Sequence, residues 1–327
     1  MKYYLSKLIS GQNLNFEEAK AAILSIGLGE VNGFQIASFL TAVQVNGLSV
    51  DELLGFREGM LELALNLPFN EYDAIDVCGT GGDGKDTFNI STTASFLVAG
   101  AGQKVAKHGN HGVSSAVGSS TVLETLGVKF TNDIPYLKNK LETAGICYLH
   151  APLFHPAMKY VAPVRKDLGI RTFFNILGPL LNPAGVKKQF SGVSDIKTLE
   201  LYAEVFRKSG IRFGVVHSVD IYDEISLTDE FVLATENHTQ TYDPQSLGFR
   251  INHQQELHGG DSAKESAQII INILKNQGTE AQTNAVLANA GVALSIARKL
   301  SLKEGIEVAR ESLESGQALK SLELLVL

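Results

Sequence analysis

Cysteine is scarce in this chain of 327 residues, with Cys78 and Cys147 the only two. Two thiols supply no disulfide framework and fit a reducing compartment. No run of eighteen apolar residues occurs, so no membrane span is expected. Positive charge is also short. The net charge of −7 excludes a general attraction for nucleic acid or anionic membrane. Any anionic substrate must therefore be met by local cations or by a metal. The opening residues MKYYLSKLISGQNLNFEE place a lysine inside their apolar stretch and offer no small-residue cleavage site, so they do not read as a signal peptide. The expectation is a cytoplasmic protein with neither a nucleic-acid nor a membrane partner. What is present is ordinary globular material, 44% apolar and 19% charged. The length is enough for two domains.

Residues 1–70 carry only helical signals and are read as a small all-helical domain. Asn15 with Glu18, and Ser49 with Glu52, have the spacing of capping boxes ahead of segments whose Leu, Ile and Phe recur at three and four. From residue 71 to 327 the pattern changes. Short apolar runs (AIDVCG, KVAKHG, ICYLHAP, FGVVHS) alternate with helical segments of about ten residues, which implies crossover units and a mostly parallel central sheet. The C-terminal part returns to helix, with Thr279–Gln282 and Ser301–Glu304 as further capping boxes. The fold class is α/β: a helical N-terminal domain followed by a larger α/β domain. In such sheets ligands sit beyond the carboxyl ends of the strands.

The first such end is CGTGGDGKDTFNIST, Cys78 to Thr92. Gly79, Gly81 and Gly84 match the spacing of a dinucleotide fingerprint, but the helix signal waits until about Ser91, and the next strand ends in Lys107-His108 instead of an acidic residue for a ribose. Gly79 through Lys85 also spells the start of a P-loop, with Asp86 where a magnesium-binding hydroxyl belongs. Both readings fail. A bare turn explains one or two glycines. Several glycines that expose backbone N–H groups, followed by Asn89-Ile90-Ser91-Thr92 at a helix N-terminus, point to a phosphate or pyrophosphate site.

Three further segments follow predicted strands. KHGNHGVSSAVGSS, Lys107 to Ser120, offers lysine, histidine, asparagine and serine donors to phosphate oxygens. A solvated polar loop is the alternative, and zinc is excluded for want of a nearby Cys or carboxylate to complete a shell with His108 and His111. The proline-punctuated stretch His150–Gly185 contains Arg165 and Arg171, candidates for a carboxylate or for surface ion pairs. VVHSVDIYDEISLT presents Asp220, Asp223 and Glu224, which either face solvent or help to hold Mg2+ beside substrate phosphates. No Ser-His-Asp order or reactive-cysteine setting is found. Phosphate cradles, a carboxylate pair and an arginine suit displacement of pyrophosphate.

Together these motifs, GTGGD, FNIST, KHGN..VSS, HPAMK..APVR..LGIRTFFNILGPLLNP and DEIS, resemble the anthranilate phosphoribosyltransferases, a class shared with pyrimidine nucleoside phosphorylases. The resemblance implies a homodimer formed through the helical domain and an active site between the two domains. It implies that Gly79, Gly82, Asp83, Thr87, Asn89, Ile90, Ser91 and Thr92 bind phosphoribosyl pyrophosphate. Lys107, His108, Gly109, Asn110, His111, Gly112, Val113, Ser114, Ser115 and Ser119 would close over it. Gly79, Asn110 and Arg165 would bind anthranilate, and Ser91, Asp223 and Glu224 would hold the Mg2+ cofactor. No residue is assigned as an acid, base or nucleophile, because orientation and electrostatics carry the reaction. The chain departs from the family pattern at His111-Gly112, where arginine commonly follows KHGN, at GSSTVLE for GSADVLE, and at IYDEIS for GLDEIS. A nucleoside phosphorylase and a non-catalytic nucleic-acid-binding relative are the alternatives. The first is disfavoured by the HPAMK-to-TFFN stretch, the second by an intact glycine loop in an acidic chain.

Overall fold

All four capping boxes read from the sequence are formed, at Asn15–Glu18, Ser49–Glu52, Thr279–Gln282 and Ser301–Glu304. Each satisfies two backbone N–H groups that a helix start otherwise leaves without partners. The structure, a computed structural model, describes residues 1–112 and 117–327. They form two compact units, each described in its own terms.

The helical unit comprises Met1–Leu67 and Ala151–Pro183. Besides the residues before the expected boundary near residue 70, this unit takes in one later stretch. The reason is aromatic: Phe173 stacks on Phe56 with ring centroids 4.3 Å apart and meets Phe39 edge-on at 6.3 Å. Backbone bonds join the same stretch to the first, Leu65 N–H to the Phe154 carbonyl at 2.8 Å and Leu67 N–H to the Pro183 carbonyl at 3.0 Å. Helices Phe16–Gly27 and Val50–Glu62 pack closely because Gly55 and Gly59 lie at their contact. A Cβ at Gly55 would overlap the Phe16 carbonyl oxygen.

The α/β unit comprises Pro68–His150 and Ala184–Leu327. Its strands are β1 (Ile75–Gly79), β2 (Val105–Gly109), β3 (Ile146–His150), β4 (Lys188–Gly192), β5 (Arg212–Ser218), β6 (Phe231–Thr235) and β7 (Thr239–Tyr242). They form one seven-stranded sheet in the order β3-β2-β1-β4-β5-β6-β7. The first five are mutually parallel, and β6 and β7 are antiparallel additions. The chain runs outward through β2 and β3, then returns to the other side of β1. That reversal makes the β1/β4 junction the topological switch point, where an open parallel sheet leaves a crevice for ligand. The core helix Glu280–Arg298 is buried continuously from Ala285 to Ala297. Among the described residues no single helix is long and apolar enough to cross a membrane.

In the helical unit one fully buried carboxylate ties two loops together. Glu52 accepts from Leu14 N–H at 3.0 Å, Asn13 Nδ2 at 3.0 Å, Ser49 N–H at 2.9 Å and Ser49 Oγ at 2.8 Å. Glu52→Gln puts an NH2 group against donors, and hydrogen bonds to a charged group are each worth roughly 1.5–3 kcal/mol. We expect a loss of about 2–4 kcal/mol of stability on that basis, read as a lower midpoint in urea with an unchanged slope. A midpoint equal to that of the unmodified protein refutes this role.

Candidate active site at the strand ends

Every strand-end glycine around the switch point is there because something crosses directly above it. A Cβ on Gly192, the last residue of β4, would overlap the Asp223 carbonyl oxygen. One on Gly79, the last of β1, would come within 2.6 Å of Asp223 Oδ2. The turn after β5 thus lies across the carboxyl ends of β1 and β4, delivering Asp223 and Glu224 to the crevice.

The glycine loop wraps around that turn. Gly81, Gly82 and Gly84 have φ of 64°, 82° and 71°, the left-handed region where a side chain is strained. Gly81 N–H donates to Asp223 Oδ2 at 2.6 Å. At the loop's other end helix Ile90–Gly100 begins, and Ser91 N–H donates to Glu224 Oε1 at 2.8 Å. Glu224 therefore caps a helix far away in sequence, where the dipole favours negative charge. Ile90 is fully buried in the core and Thr92 almost so, so Ile90 has only its backbone to offer a ligand. Asn89 Nδ2 donates to the Val117 carbonyl at 3.0 Å, and its Oδ1 is buried with no hydrogen-bond partner among the described residues.

The two carboxylates are electrostatically uncomfortable. Asp223 is held well above the usual carboxylate range, first by burial, then by Glu224 and Asp83 beside it. Glu224 is pushed up to about 7, chiefly by burial, with the Ser91 N–H acting in the opposite direction. Lys107, buried on β2, donates its ammonium to the Val77 carbonyl. Burial lowers its pKa, while Asp76, Cys78 and Glu224 raise it. A cation between these carboxylates would relieve the crowding. Among the described residues no group of three His, Cys, Asp or Glu side chains forms a full metal cage. Mg2+ needs none, since it takes one or two protein carboxylates and completes its shell with phosphate and water.

Beyond β2, His108 N–H bonds to Asp76 Oδ1 at 3.2 Å, and a Cβ on Gly109 would lie 2.6 Å from Ser119 Oγ. Asn110, His111 and Gly112 are exposed. His111 Nδ1 pairs with Thr121 Oγ1 at 3.1 Å, so two of the residues that depart from the family pattern touch each other. Val113, Ser114 and Ser115 lie outside the described residues. The α/β unit thus brings together Gly79, Gly82, Asp83, Thr87, Asn89–Thr92, Lys107–Gly112, Ser119, Asp223 and Glu224 around the ends of β1, β2 and β4. Arg165 belongs to the helical unit, where it is half-buried over the Phe174 ring at 5.4 Å and donates to Asn175 Oδ1 at 3.4 Å.

Two supports were not anticipated from sequence. Asn289, in the core helix, grips the backbone of Ile225 from both sides, accepting its N–H at 3.1 Å and donating to its carbonyl at 2.9 Å. The signal was available, because a lone amide within the apolar run VLANAGVAL must find a buried partner. The second is the segment ending at Gly260, which pins the far side of the glycine loop through Phe88 N–H to the Leu257 carbonyl at 3.0 Å and Gly259 N–H to the Asp86 carbonyl at 2.9 Å. Nothing local in its sequence signals that contact.

Comparison with known proteins agrees with this architecture. The glycosyl transferase family a/b domain matches residues 71–319, and the helical bundle domain of the same family matches residues 2–64. Anthranilate phosphoribosyltransferase of Flavobacterium johnsoniae is 49% identical over 325 residues, 99% of this chain and 98% of that protein. That of Cytophaga hutchinsonii is 50% identical over 319 residues, 97% of each. Among solved structures, anthranilate phosphoribosyltransferase from Thermus thermophilus superposes with a TM-score of 0.94 at 37% identity, covering 99% of this chain and 98% of that one. The Saccharomyces cerevisiae enzyme, in complex with phosphoribosyl pyrophosphate and Mg, gives 0.92 at 28% identity, covering 99% and 96%. With a fold, a strand-end site and near full-length relatives in agreement, this chain belongs to the anthranilate phosphoribosyltransferase family.

Proposed function

We propose that the protein transfers phosphoribose from phosphoribosyl pyrophosphate to the amine of anthranilate, releasing pyrophosphate. One observation carries the reading: the bonds from Gly81 and Ser91 N–H to Asp223 and Glu224 hold a glycine loop, a helix N-terminus and a carboxylate pair at one crevice. The glycine loop and the start of helix Ile90–Gly100 form the wall against which the anionic substrate sits, with the Thr87 and Ser119 hydroxyls and the Lys107–Gly112 segment against the same charge. Mg2+, when bound by Asp223, Glu224 and the Ser91 hydroxyl, supplies positive charge to the departing pyrophosphate. The residues need move no proton onto the leaving group; they orient the reactants and exclude water while charge separates. Lys107 acts through its field, since its ammonium is held by the Val77 carbonyl. Loss of anthranilate fluorescence on adding phosphoribosyl pyrophosphate and Mg2+ tests the reaction. Phosphorolysis of uridine or thymidine, without that loss, would favour the nucleoside phosphorylase reading.

The helical unit is assigned to a second copy of the chain. A groove of about 550 Å3 runs between helices Lys2–Ile9 and Gly33–Asn46. Ile9 and Val45 on its rim are 77% and 79% exposed, and Phe34 is 89% exposed. A groove rimmed by exposed apolar side chains suits an interaction face. Sedimentation should give a dimer, and Ile9→Glu with Val45→Glu a folded monomer. A dimer that survives both charges overturns the assignment.

Two substitutions probe the site. Asp223→Asn with Glu224→Gln keeps size but removes the charge on which Mg2+ binding depends. Activity should then require several-fold more Mg2+, and an unchanged Mg2+ requirement excludes these residues as ligands. Arg165→Ala removes the charged donor assigned to the anthranilate carboxylate. A charged hydrogen bond worth roughly 1.5–3 kcal/mol corresponds to a rise of about ten- to hundredfold in KM for anthranilate, with little change for phosphoribosyl pyrophosphate. Equal increases for both substrates would remove Arg165 from that role.

A further inference from the structure

Beneath the exposed Asn110–Gly112 segment lies a row of polar groups in which Tyr148, Ser120 and His150 have no assigned substrate role. Asn110's carbonyl accepts from Ser119 Oγ at 3.2 Å and from Ser120 N–H at 3.2 Å. Ser119 Oγ is 2.9 Å from Tyr148 Oη, Tyr148 Oη is 2.7 Å from Ser120 Oγ, and Ser120 Oγ is 2.8 Å from His150 Nδ1. Ser120 is fully buried and Tyr148 nearly so, so their hydroxyls cannot turn to water and must be satisfied within the row.

While Ser119 Oγ donates to the Asn110 carbonyl, proton counting gives the row one direction. The Asn110 carbonyl can only accept, so the single Ser119 proton lies on it. Tyr148 must then donate to Ser119, and Ser120 to Tyr148. With every hydroxyl proton used, His150 Nδ1 must carry a hydrogen and donate to Ser120. The reverse direction leaves the Asn110 carbonyl without its Ser119 bond. Hydrogen bonds that run one way polarise each other. The ring at the head of the row is itself fixed, stacked on Phe130 at 4.7 Å and edge-on to His111 at 5.0 Å. Burial and the neighbouring His111 lower its pKa, with Glu124 opposing.

We propose that His150, Ser120 and Tyr148 are positioning residues, a directed hydrogen-bond relay that fixes Ser119 and the Asn110 backbone for phosphoribosyl pyrophosphate. When a phosphate oxygen arrives, the Ser119 proton turns from the Asn110 carbonyl to it. The Tyr148 O–H keeps the serine oxygen in place during that turn. The Asn110 carbonyl retains its Ser120 N–H, so nothing is left unsatisfied. This role rests on the phosphoribosyl pyrophosphate reading of the site.

Two measurements test it. In the free protein labelled with 15N-histidine, the His150 resonances, assigned by their loss in His150→Gln, should report hydrogen on Nδ1, and Tyr148→Phe should shift the ring toward a mixture of tautomers. A ring protonated on Nε2 alone overturns the relay. Calorimetric titration with phosphoribosyl pyrophosphate and Mg2+ should show Kd raised about three- to tenfold by Tyr148→Phe, as expected for one lost hydrogen bond. The same substitution should add nothing in a Ser119→Ala background. An unchanged Kd, or full additivity, also overturns the relay. Failure of the unmodified protein to bind phosphoribosyl pyrophosphate would instead overturn the assigned reaction, and the relay would then be judged on the tautomer alone.

Discussion

The bond between Gly81 N–H and Asp223 Oδ2, 2.6 Å across a separation of 142 residues, is the contact on which the rest of the site depends. It fixes the glycine loop against the turn after β5. That turn in turn sets where Glu224 meets the N-terminus of helix Ile90–Gly100. The sheet makes the contact possible, because β1 and β4 are adjacent and both end in glycine, leaving room for the Asp223 backbone above them. Asn289 and Ser218 then hold the turn from below, through the Ile225 backbone and the Glu224 carbonyl at 2.7 Å. Four elements distant in sequence converge on two carboxylates.

Such convergence has an electrostatic cost. Burial above all, and then Asp83 beside them, raises the proton affinity of both carboxylates, and Glu224 raises that of Asp223 further. Neighbouring N–H dipoles and the buried Lys107 offset part of this. Burial and like charge both disfavour ionised carboxylates, so a pair of them at the strand ends is itself an argument for a cation. The same arrangement ties the glycine loop and the helix start to the two carboxylates through backbone N–H groups. It also explains why the loop resembles both a P-loop and a dinucleotide fingerprint while being neither. Its glycines admit the Asp223 carboxylate from the protein side.

Much of this was legible in the sequence. Caps at Asn15, Ser49, Thr279 and Ser301 are local devices and were read correctly. Strands β1, β2, β3 and β5 were visible as short apolar runs. Strand β4 was not, because Lys188, Gln189 and Ser191 interrupt its apolar signal. All are buried, and each finds a partner only in the assembled fold: Lys188 in Asp73, Gln189 in Cys78 and Ser191. The stretch 151–183 was assigned to the α/β domain by chain order, whereas its phenylalanines complete a helical core. Residue types at the site were readable because they follow strands. Their supports, Asn289 and the Gly259 segment, act at long range and left little local trace.

The departures from the family pattern acquire a physical meaning only in three dimensions. His111 and Thr121 are ten positions apart, and each looks like an isolated change. In the fold they share a hydrogen bond of 3.1 Å. A threonine hydroxyl can donate or accept, so it is a partner suited to either ring tautomer. Ser120, the adjacent departure, adds a buried hydroxyl that would be destabilising alone. It is accommodated because Tyr148 and His150 lie within 2.8 Å of it. The three residues therefore belong to one group in the fold, joined where the His111 and His150 rings meet edge-on at 5.0 Å. The effect of any single reversion must be judged with its partners in place, since contacts within one hydrogen-bonded group do not contribute additively.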